Sequence, residues 1–217
     1  MNVIPWYVTV VRLLVPASIL SWPLWGLLAS TVVDMSDWEF VHVVTDQDMV
    51  VYQAWDKAMD LYYWLFALWI VRSWKDSWAR KVAVGLFSYR VVGMVLYWLT
   101  QWRFLLVIFP NVFENFVIWC LVLFMLTKKE KLFLTYLQKI AMLIALIIPK
   151  LIHEYFQHFL TRHPWELYDV GSWMGWGGIV QEYVNYFAWG GLFYVAPLAG
   201  FLLLYRKKYD KANEKRT

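Results

Sequence analysis

Long apolar runs separated by short charged clusters account for almost the whole chain. Six of these runs approach or exceed the roughly 17–25 residues that a helix needs to cross a bilayer. They span about 8–33, 53–71, 82–102, 110–127, 132–160 and 178–205. Because lipid offers no hydrogen-bond partner to an unpaired backbone group, each run is predicted to be helical. We therefore expect an all-α fold, a polytopic transmembrane bundle of about six helices.

Prolines and the chain ends refine this picture. Pro16 and Pro23 interrupt the first run and predict a bent first helix. The same run lacks a basic leading region and a clear small-residue cleavage site, which argues against a signal peptide. We expect one transmembrane domain over residues 1–205 and a basic cytoplasmic tail over 206–217. The tail is typical of a segment that contacts anionic membrane lipid, and nothing indicates a nucleic-acid partner.

Composition supports a membrane environment. Of the 217 residues, 61% are hydrophobic, against roughly 45–50% in soluble domains. The chain holds 16 Trp, a residue that favours the membrane–water interface. Its single cysteine, Cys120, excludes an internal disulfide. No phosphate-binding loop or dinucleotide fingerprint is present, and the sequence indicates no particular cofactor.

The distribution of charge predicts an orientation. Lys and Arg cluster after the second and fourth runs and in the tail, whereas the connection after the first run is acidic. Its acidic residues are Asp34, Asp37, Glu39, Asp46 and Asp48. The positive-inside rule then places both termini in the cytoplasm. Six crossings give the same result, because an even number returns the chain to its starting side.

Ionisable residues within the runs are the candidates for function, because charge at membrane depth is costly and usually faces a bundle interior. Counting about 1.5 Å per residue places most of them in the outer half of the bundle, away from the basic ends. A polar pocket open to the extracytoplasmic side is therefore predicted. The catalytic candidates are Asp60, Glu114 and Glu154. The ligand-binding candidates are Asp56, Arg90, Lys150, His153, Glu182 and Asn185.

Spacing and charge suggest roles for these residues. Asp56 and Asp60 are four residues apart, so both can face one cleft. Asp60 or Glu114 would move a proton, and Arg90 would hold an anionic head group or pair with a carboxylate. A purely structural alternative remains open. In it, Arg90 pairs with Asp60 or Glu114, and a second ion pair joins two helix residues four apart, Lys150 and Glu154.

A histidine-rich stretch raises the question of metal binding. His153, Glu154 and His158 form H-E-x-x-x-H, whereas the zinc motif H-E-x-x-H keeps its histidines four residues apart on one helix face. A metal site would have to recruit His42, Asp34 or Asp37 from the first acidic connection. We therefore predict no metal site.

Four blocks together resemble a group of uncharacterised bacterial multi-pass membrane proteins. The blocks are SWPLWGLLASTVVDMSDW (21–38), YQAWDKAMDLYY (52–63), FPNVFENF (109–116) and PKLIHEYFQH (149–158). The resemblance spans about residues 12–160 and implies a bacterial inner (plasma) membrane, but no activity. The chain is also similar in architecture to the sterol isomerases and receptors of the emopamil-binding-protein and sigma-2 class, without a residue-by-residue match.

Three functions are compatible with the sequence. The chain binds or modifies a lipid or other amphipathic small molecule in the polar pocket, with membrane lipids as its surroundings. Alternatively, it is a small ion- or proton-coupled transporter, although an apolar inner half lacks residues for a second gate. A third alternative is an accessory or structural subunit of a larger membrane complex. Whether the chain is an enzyme is left open.

Overall fold

The computed structural model describes residues 3–42, 44–102, 104–128, 131–133, 135–156, 181, 184–185, 188–203 and 205. Every regular element in these ranges is helical. The elements are α1 (Trp6–Leu14), a 3₁₀ helix (Val15–Leu20), α2 (Pro23–Ser36), a second 3₁₀ helix (Asp37–Phe40), α3 (Asp46–Val71), α4 (Ser77–Thr100), α5 (Phe104–Ile108), α6 (Val112–Thr127), α7 (Tyr136–Glu154) and α8 (Ala188–Leu203), which contains a π turn at Gly191–Val195. The predicted all-α class is confirmed.

The N-terminal residues 3–42 form a hairpin. α1 and the first 3₁₀ helix run in one direction, the chain reverses at Ser21 and Trp22, and α2 returns alongside them. The backbone N–H of His42 donates to the carbonyl of Val3 at 3.0 Å, so the hairpin starts and ends at the same place. The predicted single bent helix over 8–33 is therefore wrong. Trp22 precedes a proline and lies outside the helical region, at φ −131° and ψ 76°. Pro23 then starts α2 at a position where no N–H is needed.

A glycine lets the two arms of the hairpin touch. A Cβ at Gly26 would lie 2.5 Å from the backbone nitrogen of Ile19 and 2.6 Å from the carbonyl carbon of Ser18. Only a residue without a side chain fits such a contact. Ile19 and Leu27, on the two arms, are fully buried. Close packing at Gly26 thus holds α2 against the first 3₁₀ helix.

Three helices in the described part of the chain are long and apolar enough to cross a membrane. They are Ser77–Thr100, the 24 residues from Phe104 to Thr127, and Tyr136–Glu154. They coincide with the third, fourth and fifth predicted runs, and they are compatible with an integral membrane protein. α3 has 26 residues, long enough to cross, but it carries Asp56, Lys57 and Asp60 in its middle. The six-helix count and the orientation remain predictions.

A short helix, which the sequence analysis did not predict, precedes the helix of the fourth run and is separated from it by a break. α5 ends at Ile108, and α6 starts at Val112 after Pro110. Proline supplies no N–H and cannot continue the hydrogen-bond pattern of α5.

α4 and α6 both end on residues with left-handed backbones, Gln101 (φ 56°) and Lys128 (φ 51°). Around the break, the aromatic residues Tyr63, Trp64, Phe113 and Phe116 form the centre of the buried core.

Candidate functional site

Arg12 lies among four aspartates. Its side chain is only 3% exposed, and its Nη1 pairs with Asp34 and, at 3.4 Å, with Asp37. Its Nη2 lies 3.4 Å from a carboxylate oxygen of Asp56 and of Asp60. The hairpin carries Arg12 on α1 beside the end of α2, and α3 supplies the other two acids. Asp56 and Asp60 therefore lie on the same face of α3, as their spacing of four residues predicts.

Lys57 is the second cation of this group. Its Nζ donates to Asp56 at 2.6 Å and to Asp60 at 3.1 Å. We call Arg12, Lys57 and the four aspartates the acidic cluster; the aspartates are Asp34, Asp37, Asp56 and Asp60. Four carboxylates face two cations, so at full ionisation two negative charges remain uncompensated within it. Buried charge without a counter-charge is costly, which favours uptake of a proton or a cation.

The acidic cluster is only partly covered. The side chains of Asp34 and Asp56 are 25% and 15% exposed, whereas Arg12 and Asp37 are almost completely covered. The guanidinium carbon of Arg12 lies 5.5 Å from the centre of the Trp55 ring, within the range of a cation–π contact. Asp37 accepts a hydrogen bond from the Tyr52 hydroxyl at 2.8 Å. Its other oxygen lies 3.4 Å from Nη1 of Arg12 and accepts no hydrogen bond from the described residues.

Glu114 occupies a neighbouring position in the first turn of α6. Its carboxylate accepts hydrogen bonds from Thr31, from the Tyr63 hydroxyl at 2.8 Å and from the Asn111 amide at 3.0 Å. Thr31 and Asp34 lie one turn apart on α2, so Glu114 adjoins the acidic cluster. All three donors are uncharged. The start of a helix also favours a carboxylate there, through the positive end of the helix dipole.

A third polar group lies on α7 and α8. The predicted ion pair between Lys150 and Glu154 forms, at 3.1 Å. The Tyr194 hydroxyl lies 3.1 Å from Nδ1 of His153 and accepts from Lys150 at 3.4 Å. Asn111 connects this group to the previous one, because its backbone N–H donates to Glu154 at 3.3 Å while its side chain donates to Glu114.

Arg90 lies apart from these carboxylates. Its guanidinium donates to the backbone carbonyls of Leu106 (3.4 Å) and Phe109 (2.5 Å), and it makes no ion pair with a carboxylate in the described residues. The predicted pairing of Arg90 with Asp60 or Glu114 is therefore wrong. The break between α5 and α6 leaves carbonyls without helical partners, and the buried guanidinium satisfies them. Arg90 stabilises the break, and its contacts provide no support for holding a head group.

The remaining predicted residues are only partly described. Asn185 is buried, whereas Glu182 and His158 lie outside the described residues. Carboxylate oxygens of Asp34, Asp56 and Asp60 lie within 4.8 Å of one another, a spacing suited to a cation. Arg12 and Lys57 already contact these oxygens, so a metal ion would have to compete with them. His42, which we considered as a metal ligand, is not part of this group.

Arg12 is the functional candidate that the sequence analysis missed. The sequence analysis gave this residue no role. A single arginine within the apolar run 8–33 was nevertheless a usable signal, because such a residue needs a buried partner. The sequence did not identify these partners, because they lie 22 to 48 residues away along the chain.

Asp37 predicts a pH dependence of stability. Burial raises its pKa to about 6, against the opposing effect of the Arg12 guanidinium. When the pKa of a carboxyl is higher in the folded state, its contribution to stability is fully present at pH values below the unfolded-state pKa, near 4. That contribution is lost as the pH rises through 6. We expect the melting temperature of the Asp37→Asn variant to vary less with pH between 4 and 7 than that of the wild type. A profile identical to that of the wild type would contradict the prediction.

Similarity to other proteins identifies no function. No family model matches the chain, and no curated protein or solved structure matches it either.

Proposed function

We propose that this integral membrane protein binds a small amphipathic molecule through a cationic group held in the acidic cluster. The observation that carries the proposal is the excess of two carboxylates over cations in a largely buried group. A ligand cation would compensate this charge in surroundings of low dielectric constant, where the attraction is several times stronger than in water. No reaction is proposed.

The sign of the ligand charge follows from the contacts of Arg12. Both of its terminal nitrogens already face carboxylates, so an anionic head group would meet surrounding negative charge. Lys57 is likewise engaged by Asp56 and Asp60. A primary or quaternary amine fits better, approaching the exposed edges of Asp34 and Asp56.

The surroundings of the cluster favour a ligand with an apolar tail. The outer surface of the hairpin exposes large apolar side chains, among them Trp22, Trp25 and Leu14. Exposed apolar surface of this kind suits contact with lipid, and tryptophan favours the interfacial region. A bound amphiphile would place its amine at the cluster and its tail along the hairpin, in lipid.

The hairpin also changes the proposed topology. Because Val3 and His42 lie together, residues between them need not cross the membrane. α3, the three candidate spans and the predicted run 178–205 then give five crossings instead of six. With the basic tail in the cytoplasm by the positive-inside rule, the hairpin and the acidic cluster lie in the extracytoplasmic half of the bundle. The resemblance to bacterial proteins suggests the inner (plasma) membrane.

Binding of dodecylamine tests the proposal, with dodecanol as an uncharged probe of the same chain length. The full-length protein in lipid nanodiscs should bind the amine in preference to the alcohol. Asp34→Asn and Asp56→Asn should each weaken amine binding about tenfold, which corresponds to about 1.4 kcal/mol. Glu39→Gln removes an exposed carboxylate near the same end and should leave binding unchanged.

Two results would reject this proposal. One is equal binding of amine and alcohol to the wild type. The other is wild-type amine affinity in both aspartate variants, provided that each variant elutes as a single species in size-exclusion chromatography.

A small proton- or cation-coupled transporter is the second candidate. It is favoured by the polar contacts that run from Glu114 through Asn111 to Glu154 and Lys150. Against it, the bundle beyond these residues is filled by an apolar core that includes Val71, Cys120 and Leu123. Flux into proteoliposomes that is abolished by Asp60→Asn but retained in Glu39→Gln would favour transport over simple binding.

A further inference from the structure

A second charged site lies at the other end of α3. A cleft of about 400 Å³ opens where α3 ends and α4 and α7 begin. Four lysines line it, namely Lys75, Lys81, Lys131 and Lys139. We call it the lysine cleft. Asp56 and Lys75 are separated by 19 positions, most of them within α3, so the two sites lie roughly 25 Å apart along the helix axis. They are therefore separate sites.

Positive charge dominates the lysine cleft. Asp76 is the one carboxylate among its described lining residues, and both of its oxygens are already engaged. One oxygen accepts the N–H of Ala79 at 3.0 Å and so caps α4. The other accepts the N–H groups of Leu132 (2.8 Å) and Phe133 (3.3 Å). Asp76 thus holds the 131–133 segment against α4. Among the described lining residues, lysines outnumber carboxylates by four to one.

Aromatic side chains form one wall of the lysine cleft. The rings of Trp78 and Phe133 pack edge to face with centres 4.6 Å apart, and Trp78 also contacts Phe116 of the core. Nζ of Lys139 lies 5.6 Å from the centre of the Trp78 ring. This cation–π contact directs one ammonium group along the wall. These contacts fix the position of the Trp78 ring in the wall of the cleft.

The lysine cleft lies level with the ends of all three candidate spans. One span starts at Ser77, another starts at Tyr136, and the third ends at Thr127. The ends of spanning helices lie near the head groups of the bilayer. Lysines in such a position bind anionic head groups, with a strength that depends on ionic strength.

We propose that the lysine cleft binds a phosphate-bearing anion, either the head group of an anionic phospholipid or a soluble phosphate compound. Its volume is within the roughly 300–1,000 Å³ of small-molecule sites and suits one head group. Ammonium groups recognise phosphate oxygens as point charges and as hydrogen-bond donors. This site does not depend on the function proposed for the acidic cluster.

The experiment uses full-length protein in nanodiscs of phosphatidylcholine, with or without a minor fraction of phosphatidylglycerol. Lipid retained after mild detergent extraction is measured by native mass spectrometry. We expect phosphatidylglycerol to be enriched at least about tenfold over its share of the bilayer. The double variant Lys81→Gln/Lys131→Gln should lose this enrichment. The double variant Arg72→Gln/Arg80→Gln removes the same charge from exposed positions at the same end and should keep it.

Binding of inorganic pyrophosphate to the protein in pure phosphatidylcholine nanodiscs identifies the source of the phosphate. Pyrophosphate binding that depends on Lys81 and Lys131, without enrichment of phosphatidylglycerol, assigns the cleft to a soluble anion. Enrichment of phosphatidylglycerol that pyrophosphate cannot displace assigns it to lipid. The proposal is overturned if neither anion binds, or if the arginine control variant loses as much binding as the lysine variant.

Discussion

Replacing Arg12 by methionine should destabilise the protein by about 3–5 kcal/mol, the usual cost of removing one partner from a buried ion-pair network. The substitution leaves Lys57 as the one cation of the acidic cluster, against four aspartates. Because Arg12 connects α1 to α2 and α3, the hairpin should be the part that detaches first. Reversible unfolding in mixed micelles, followed by tryptophan fluorescence, measures the change.

Compensating variants distinguish lost charge pairing from lost packing. Adding Asp34→Asn to Arg12→Met removes one of the stranded carboxylates and should recover part of the stability. Arg12→Lys keeps the charge but not the two-pronged geometry, and it should give an intermediate loss. If the double variant is as unstable as the sum of its single substitutions, the charge-balance explanation is wrong.

Gly26→Ala should destabilise the hairpin by about 1–3 kcal/mol or more, in the range found for overpacked interiors. The added Cβ would meet backbone atoms of Ile19 and Ser18 at 2.5–2.6 Å. Backbone atoms cannot rotate out of the way as the end of a side chain can, so α2 must shift. A shift of α2 moves Thr31 and Asp34, and binding at the acidic cluster should weaken with the stability.

Gly85→Ala is the matched control for this substitution. Gly85 lies within α4, and a Cβ there would meet no atom within 4 Å. Alanine should therefore raise stability by up to about 1 kcal/mol through its higher helix propensity. The same unfolding measurement applies to both variants. A neutral Gly26→Ala, beside a stabilising Gly85→Ala, would show that the hairpin arms are packed less closely than the structure has them.

The two charged sites differ in what holds them together. The acidic cluster depends on the reversal of the chain at Ser21 and Trp22, which brings Arg12 to Asp34. The lysine cleft depends on Asp76, whose oxygens tie the 131–133 segment to the start of α4. A substitution in the hairpin should therefore leave anion binding at the cleft unchanged.

The sequence by itself determined the helical class and three candidate membrane spans. These features depend on the length and polarity of continuous segments, and a bilayer admits few alternatives to a helix. It also determined pairs within one helix. The spacing of four residues was enough to place Lys150 with Glu154, and Asp56 with Asp60, on shared faces.

Only the tertiary structure decided which residues of different helices are in contact. A pair of prolines predicted a bend, but the chain reverses, and the close contact at Gly26 packs the two arms together. Arg90 was expected to meet a carboxylate and instead satisfies the carbonyls at the end of α5, which the break before α6 leaves unpaired. Arg12 gained its four aspartates because the hairpin and α3 converge. Such contacts join residues far apart in sequence, and local patterns of polarity carry no information about them.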